Sequence, residues 1–301
     1  MKELRLGNSI YTLDGIELLP AGTTLSSEVW RGLQSSSATS EQDVLPIFDH
    51  GTIREDLLDC IGKKPYDVIF GLDQARADSL RSMAQVRIPL SLLAYLDYFR
   101  ENDSYTYLHS LKVFALSTLL ADIMAVSIQE MWLESTAGPL HDLGKFCVPL
   151  SILNKSLPLT RAERAILEHH TVAGYVLLGY HMGDPHGVIP KVAKDHHERR
   201  DGSGYPLGIR LADRLVEVIA TTDIYDALLS PRPYKPTPFD NRTALEEITD
   251  MASHGKLSWG VVKALIACDR LSKPDYRYIT ISTERRGTPP QDNVYGTIAE
   301  E

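Results

Sequence analysis

The chain has 301 residues, a formal net charge of −9, 43% hydrophobic residues and 24% charged residues. This composition is typical of a soluble globular protein and excludes disordered, collagen-like and coiled-coil architectures. The acidic charge makes a nucleic-acid polymer an unexpected partner. The best candidate for a membrane span, residues 111–128, is interrupted by Lys112 and Asp122. No apolar run reaches the roughly 18 residues that a span needs, so we expect no membrane segment.

Three cysteines are present, Cys60, Cys147 and Cys268, and they are widely spaced. Their small, odd number argues against a disulfide framework and favours a reducing compartment. Residues 1–15 also lack the long apolar core of a signal peptide. We therefore expect a cytoplasmic protein.

The first part of the chain has a different pattern from the rest. Short alternating apolar stretches in residues 9–25, with turn signals at Asp14-Gly15, predict a β-hairpin or a small sheet, and residues 66–72 could form one more strand. We expect residues 1–90 to form a small N-terminal regulatory or docking domain that lies apart from the active site. A purely structural cap for the rest of the chain is the open alternative.

From residue 73 onward the apolar spacing is helical. Thr160 and Glu163 form a capping box at the start of one helix. The stretches predicted as helices are 75–84, 91–99, 160–180, 191–198, 215–229 and 244–252. We expect a mainly α protein, with a helical-bundle domain over residues 91–301.

The histidines are clustered, since eight of the ten lie between residues 109 and 197. Random placement would put about three there, and histidine is the commonest metal ligand. Asp142 follows His141 directly, and Asp223 supplies another carboxylate. Such side chains on separate helices can converge on two ions, which would activate a water and clamp a phosphate. The donor set favours iron, manganese or zinc over calcium and magnesium.

Several motifs together resemble the HD-GYP family, a branch of the HD-domain metal-dependent phosphohydrolases. They occur in the family's order within residues 95–270. The motifs are Asp103-Ser-Tyr-Thr-Tyr-Leu-His109, His141-Asp142-Leu-Gly-Lys145, His196-His197-Glu198-Arg-Arg-Asp201-Gly-Ser-Gly-Tyr-Pro206, Asp223-Ile-Tyr-Asp226 and Arg232-Pro-Tyr-Lys235. The resemblance implies an all-helical HD-type domain that hydrolyses cyclic di-GMP to pGpG and/or GMP.

The resemblance also implies two divalent ions, with iron as the expected metal and manganese as the alternative. Asp142 would bridge the two ions. The side chains implied for the first ion are His109, His141, Asp142 and Asp223, and those implied for the second are Asp142, His170, His196 and His197. His170 is preferred to His169 because the family pattern has a glycine four residues later, here Gly174.

Four residues carry catalytic or substrate-binding roles implied by the resemblance. Asp142 and Lys145 would be catalytic, and the Lys145 ammonium would neutralise charge on the reacting phosphate. Arg232 and Lys235 would bind a substrate phosphate. The alternatives are a surface lysine at Lys145 and solvated loop charges at Arg232 and Lys235. We expect Gly202 and Gly204 to give the Gly-Tyr-Pro loop the backbone shape that holds His196, His197 and Asp201 in place. Glu198 and Asp201 are either hydrogen-bond acceptors behind the ligands or catalytic groups, and the sequence leaves both roles open.

The chain departs from the family pattern at three positions. Tyr105 stands where some members have a glutamate for a third metal, so we expect two ions. Glu217 stands where an arginine is usual, and Pro139 where an aliphatic residue is usual. The segment from Gly208 to Asp223 is also about two residues shorter than is usual in the family. The short segment, Glu217 and Pro139 keep open an alternative function, a weakly active or inactive cyclic-di-GMP/metal-binding signalling and interaction module. Under either function, the expected partners are cyclic di-GMP and signalling proteins that bind through the Gly-Tyr-Pro loop or the N-terminal domain. Hydrolysis of another nucleotide is a third, less favoured reading.

Overall fold

A computed structural model describes residues 4–36, 43–71, 73–124, 127–232 and 237–290, and helices dominate these residues. In chain order the helices are α1 (Ser27–Ser36), α2 (Ile53–Ile61), α3 (Tyr66–Ile69), α4 (Asp73–Ala84), α5 (Leu90–Asn102), α6 (Ser104–Met124), α7 (Ile128–Ala137), α8 (Leu150–Leu153), α9 (Arg161–Glu168), α10 (His170–His181), α11 (Val188–Asp195), α12 (Arg214–Leu229), α13 (Asn241–Ser253) and α14 (Trp259–Asp269). Short 3-10 helices cover Ile47–Asp49, Gly138–Leu140 and Leu143–Cys147.

Among the described residues up to position 90, four short strands form two antiparallel pairs. Strands β1 (Ile10–Tyr11) and β2 (Glu17–Leu19) form the predicted hairpin, with Ile10 opposite Leu19. Strands β3 (Val44–Pro46) and β4 (Arg87–Pro89) form the second pair. The predicted fold class, mainly α with some β structure near the N-terminus, is confirmed.

Helix α6 is the central helix of the bundle. It packs against α2, α4, α5, α7, α12 and α14. Its side chains are buried on nearly all sides, as expected for a core helix that is apolar all round. By length and composition it could cross a membrane, but most of it is buried inside the protein. This burial is that of a core helix.

Three predicted elements differ from the structure, and one of them is the helix predicted over 191–198, which lies instead at Val188–Asp195 as α11 and ends before His196. Residues Tyr66–Ile69 form one helical turn, α3, and the strand predicted there is wrong. A short apolar run carries no period long enough to separate helix from strand, so neighbouring contacts decide its conformation. The single helix predicted over 160–180 is two helices, α9 and α10, divided at His169. The capping box of Thr160 and Glu163 is present at the start of α9.

The hydrophobic core extends across the predicted boundary at residue 90. It includes Leu6, Ile10 and Trp30 from the first part of the chain together with side chains of α6, α10 and α12. The Trp30 ring lies edge-on to Tyr175 of α10, with 5.0 Å between the ring centroids. The division into domains 1–90 and 91–301 stays a prediction.

Candidate metal centre

The predicted metal ligands come from five separate segments that meet beside α6. His109 lies on α6 and Asp223 on α12, while His170 begins α10. His141 and Asp142 follow the 3-10 turn at Pro139, which cannot continue the hydrogen-bond ladder of α7. His196 and His197 come directly after α11. All seven side chains are buried except His197, which is partly exposed.

Gly144 allows the Asp142 segment to approach α10 closely. A Cβ atom on Gly144 would lie 1.9 Å from the carbonyl oxygen of His170 and 2.3 Å from the backbone nitrogen of Gly174. Both are backbone atoms that cannot move aside, so no side chain fits at this position. The approach places Oδ1 of Asp142 3.3 Å from Nε2 of His170.

The two carboxylate oxygens of Asp142 face two different groups of imidazoles. Oδ2 lies 3.6 Å from Nε2 of His109 and 3.4 Å from Nε2 of His141. Oδ1 lies 3.3 Å from Nε2 of His170 and 3.7 Å from Nε2 of His196. Asp142 therefore lies between two sets of donor atoms. In one set (His109, His141, Asp223) and in the other (Asp142, His170, His196, His197) the candidate donors all lie within 4.8 Å of one another.

Backbone carbonyls fix the orientation of three of these imidazoles. In each case Nδ1 of the histidine donates a hydrogen bond to a backbone carbonyl three residues earlier. The pairs are His141 and Gly138 at 2.8 Å, His170 and Leu167 at 2.6 Å, and His196 and Ala193 at 2.9 Å. Because a carbonyl oxygen can only accept, each Nδ1 carries the proton, and in the neutral ring Nε2 carries a lone pair.

Lone pairs consequently face one another in the centre of the site. Nε2 of His170 lies 3.5 Å from Nε2 of His196 and 3.3 Å from the Asp142 carboxylate. Within the described ranges no hydrogen-bond partner reaches Nε2 of His141 or Oδ1 of Asp142, although both atoms are buried. Such clustered acceptors are stabilised by a cation between them, and these residues fit divalent metal ions.

The electrostatics of the site favour the ligating forms of His196, His197, Asp142 and Asp223. His141 differs, because burial would lower its pKa but the neighbouring Asp142 carboxylate raises it. Burial lowers the pKa of His196 to about 4 and holds the pKa of His197 well below its usual value, so both imidazoles are neutral at pH 7. Burial alone would raise the pKa of Asp142, but the Lys145 ammonium and the nearby imidazoles hold it well below its usual value. The neighbouring imidazoles, His109 first, also outweigh burial at Asp223 and lower its pKa. A neutral imidazole and an ionised carboxylate are the forms that bind a metal.

Lys145 and Arg232 both lie beside this cluster. Lys145 is 8% exposed and donates a hydrogen bond to Oδ2 of Asp142, so the alternative that it is a surface lysine is wrong. The Arg232 guanidinium lies over the Tyr105 ring, and the Tyr105 ring stacks on His109. Lys235 lies outside the described residues.

The Gly-Tyr-Pro loop packs against, and is hydrogen-bonded to, the segment that carries His196 and His197. The Tyr205 ring stacks on the His197 imidazole, with 4.6 Å between the centroids and 20° between the planes. A Cβ atom on Gly204 would lie 2.3 Å from the carbonyl oxygen of His197, so only glycine fits there. The buried Glu198 carboxylate accepts hydrogen bonds from the backbone nitrogens of Leu207, at 2.7 Å, and Ile209, at 3.0 Å.

His169 does not join the cluster of candidate ligands. Its side chain lies near Gly7, where a Cβ would be 3.8 Å from the imidazole Cδ2, and burial lowers its pKa to about 4. The geometry thus favours His170 over His169 as a metal ligand, and the spacing from His170 to Gly174 favours the same choice.

A buried carboxylate behind His109 was given no role by the sequence motifs. Oδ2 of Asp226 lies 2.5 Å from Nδ1 of His109, while Oδ1 accepts hydrogen bonds from Lys112 and from the Tyr66 hydroxyl. Asp226 lies three residues after Asp223 on the same helix face, which could have indicated it. Tyr66 carries no such signal. Tyr66 belongs to the N-terminal region, which we expected to lie apart from the site, and its hydroxyl contacts Asp226, the carboxylate behind His109.

Several curated proteins are similar to this chain, and three of them are described here. The cyclic di-GMP phosphodiesterase response regulator RpfG of Xanthomonas campestris is 36% identical over 162 residues, which are 52% of this chain and 42% of that protein. The cyclic di-GMP phosphodiesterase PA4108 of Pseudomonas aeruginosa is 37% identical over 169 residues, 54% of this chain and 40% of that protein. A cyclic di-GMP phosphodiesterase of Thermotoga maritima is 35% identical over 192 residues, 62% of this chain and 50% of that protein.

The chain thus spans half or less of the length of these relatives. The HD domain family matches residues 101–257, more than half of the 301 residues. The matched range contains every predicted metal ligand and Lys145, and it ends after the Gly-Tyr-Pro loop and Asp223. The recognition made from the motifs is confirmed, and the chain belongs to the HD domain family.

Proposed function

We propose that this chain is a metal-dependent phosphodiesterase that hydrolyses cyclic di-GMP to pGpG and/or GMP. The observation that carries the proposal is the placement of Asp142, whose two oxygens face two separate groups of imidazoles at 3.3–3.7 Å. A carboxylate in this position suits a bridge between two ions. The three relatives, each named as a cyclic di-GMP phosphodiesterase, support the choice of substrate.

We assign seven side chains to two divalent ions, with iron as the expected metal and manganese as the alternative. His109, His141, Asp142 and Asp223 would hold one ion, and Asp142, His170, His196 and His197 would hold the other. When bound, two such ions lower the pKa of a water and clamp phosphate oxygens. Two divalent cations against two carboxylates leave the site positive, which suits an anionic dinucleotide although the chain carries a net charge of −9.

The remaining groups act on the substrate phosphate. Lys145 is buried beside Asp142, where its ammonium would offset charge that develops on the reacting phosphate. Arg232 lies at the edge of the same cluster, on the far face of the Tyr105 ring, and its planar fork suits two phosphate oxygens. Lys235, three residues later, would assist Arg232.

We also propose a cytoplasmic location and a contact with signalling proteins through the Gly-Tyr-Pro loop or the N-terminal region. The loop supports such a contact because Ile209 is 40% exposed beside the backbone held by Glu198.

The departure at Glu217 lies outside the two sets of candidate donors. Its carboxylate lies 3.1 Å from Nε of Arg200, so the acidic side chain finds a partner within the Gly-Tyr-Pro segment. The alternative of a weakly active or inactive interaction module therefore depends on turnover, which an assay measures directly.

The test uses the full chain, reconstituted anaerobically with iron or manganese and incubated with a panel of cyclic and linear nucleotides. Chromatography should show cyclic di-GMP converted to pGpG and/or GMP, and Asp142→Asn should abolish the conversion. Asp201→Asn is the matched control, because Asp201 is an exposed carboxylate of the Gly-Tyr-Pro loop. Binding of cyclic di-GMP without turnover would support the interaction module, and turnover of another nucleotide alone would contradict the proposed substrate.

A further inference from the structure

A buried polar network connects the N-terminal region to the candidate ligand His109. Asp226 is at its centre, with both carboxylate oxygens occupied. Oδ2 lies 2.5 Å from Nδ1 of His109. Oδ1 accepts hydrogen bonds from the Tyr66 hydroxyl, from Lys112 at 3.1 Å and from Ser230 at 3.2 Å. His109 and Asp226 are fully buried, so water does not replace any partner that is lost.

The network fixes the state of His109. Oδ1 of Asp226 accepts hydrogen bonds from the Lys112 ammonium and the Tyr66 hydroxyl, which leaves Oδ2 as the acceptor that faces Nδ1 of His109. A carboxylate at Nδ1 keeps the proton there and directs the Nε2 lone pair of His109 towards Asp142 and Asp223.

Tyr66 is the member of this network that comes from outside the matched residues 101–257. We propose that Tyr66 is a positioning residue for His109, acting through Asp226, and that α3 is thereby part of the support of the metal centre. The inference rests on the proposed function in that it concerns the same metal site.

Helix α3 is held firmly enough for this role. The Lys273 ammonium donates hydrogen bonds to the carbonyls of Val68, at 2.5 Å, and Ile69, at 3.0 Å, and also to the carbonyl of Cys268 at the end of α14. The Tyr66 ring lies edge-on to Tyr225 of α12, with 6.4 Å between the centroids. These contacts tie α3 to α14 and to α12, the helix that carries Asp226.

The consequence is a metal affinity that depends on a hydroxyl in the N-terminal region. Loss of a hydrogen-bond partner behind a metal ligand typically weakens metal binding by 10–100-fold. Tyr66 is separated from the ligand His109 by one more hydrogen bond than Asp226 is. We therefore expect Tyr66→Phe to weaken Mn²⁺ binding by about ten-fold, the lower end of that range. The ring and its packing are kept, so the variant should fold like the parent.

The experiment measures Mn²⁺ affinity of the full chain by competition with a chelator, together with the rise in melting temperature that Mn²⁺ produces. Tyr107→Phe is the matched control. Tyr107 is also buried, on α6, and its hydroxyl donates to a carboxylate, Oδ2 of Asp56 at 2.7 Å. Asp56 is not a candidate ligand, so Tyr107→Phe should change the melting temperature of the metal-free protein but not its Mn²⁺ affinity.

A double variant tests whether the effect passes through Asp226. Asp226→Asn should weaken Mn²⁺ binding by itself, and adding Tyr66→Phe should weaken it no further. Equal Mn²⁺ affinities for the parent and Tyr66→Phe, or equal losses in Tyr66→Phe and Tyr107→Phe, would overturn the inference while leaving the proposed function intact. A parent protein that binds no Mn²⁺ and no iron would contradict the metal centre itself, and this inference with it.

Discussion

The guanidinium of Arg232 lies over the ring of Tyr105, with its Cζ atom 4.2 Å from the ring centroid. Arg232 also donates a hydrogen bond to the Tyr105 hydroxyl. The Tyr105 ring in turn stacks on the His109 imidazole, at 5.6 Å between centroids and 12° between planes. Arg232 is therefore held beside the metal centre by an aromatic contact, and it is not the solvated loop charge of the alternative interpretation.

Replacing Arg232 should weaken substrate binding without loss of metal. A charge-assisted contact to phosphate contributes about 1.5–3 kcal/mol, so Arg232→Ala should reduce affinity for cyclic di-GMP roughly ten-fold or more. We expect the same direction for Lys235→Ala. Nucleotide titrations at fixed ionic strength, with metal content measured in parallel, check both variants.

Arg277→Ala is the matched control for Arg232→Ala. The Arg277 guanidinium also lies over a tyrosine ring, that of Tyr278 at 5.8 Å, but both side chains are exposed and outside the cluster of candidate ligands. The affinity of the Arg277→Ala variant for cyclic di-GMP should equal that of the parent protein. Unchanged affinity in Arg232→Ala and Lys235→Ala would remove both residues from the proposed site.

Asp142→Asn should cost more metal than any other single replacement of a carboxylate. Asp142 is assigned to both ions and Asp223 to one, so the isosteric amide at 142 weakens both sites. Elemental analysis should find about two ions per chain in the parent protein. Asp142→Asn should lose both ions, whereas Asp223→Asn should retain about one. An equal loss in the two variants would argue against the bridging role.

Gly204→Ala should disturb the metal centre through the backbone. Its Cβ would lie 2.3 Å from the carbonyl oxygen of His197 and 2.5 Å from Cα of Glu198, so the segment carrying His197 must shift. We expect reduced metal content with the helical circular dichroism spectrum retained. Gly32→Ala is the control, because a Cβ there meets no atom within 4 Å and alanine favours the helix. Full metal content in Gly204→Ala would show that the loop does not hold His197 in place.

Most of the candidate ligands could be predicted from sequence because their chemistry is concentrated in short motifs. His141 and Asp142 are adjacent, as are His196 and His197, and the glycines that permit close packing are a few residues away. Helical spacing also predicted α4, α5, α12 and α13, since their apolar faces repeat over several turns.

The contacts between distant side chains could not be predicted. Tyr66 and Asp226 are 160 residues apart, and the run that contains Tyr66 is too short to show a helical period. The stack of Arg232 on Tyr105 joins a loop to α6 across 127 residues. No local propensity encodes either pairing, because both arise only when α6, α12 and α3 pack together.

His181 should make the stability of the metal-free protein depend on pH. Burial lowers its pKa from 6.5 to about 4, against the opposing charge of Asp14, and its Nε2 lies 3.2 Å from the Tyr95 hydroxyl. Between pH 6.5 and 4 the unfolded imidazole binds a proton that the folded one does not, so the free energy of unfolding falls as the pH falls. By pH 5 this contribution is on the order of 2 kcal/mol relative to pH 7, and His181→Gln should remove it. Urea unfolding at pH 7 and pH 5, with chelator present, measures the difference.

The exposed His254 provides the control variant His254→Gln, in which the free energy of unfolding should change with pH as it does in the parent. If His181→Gln also shows the pH dependence of the parent, the prediction is wrong.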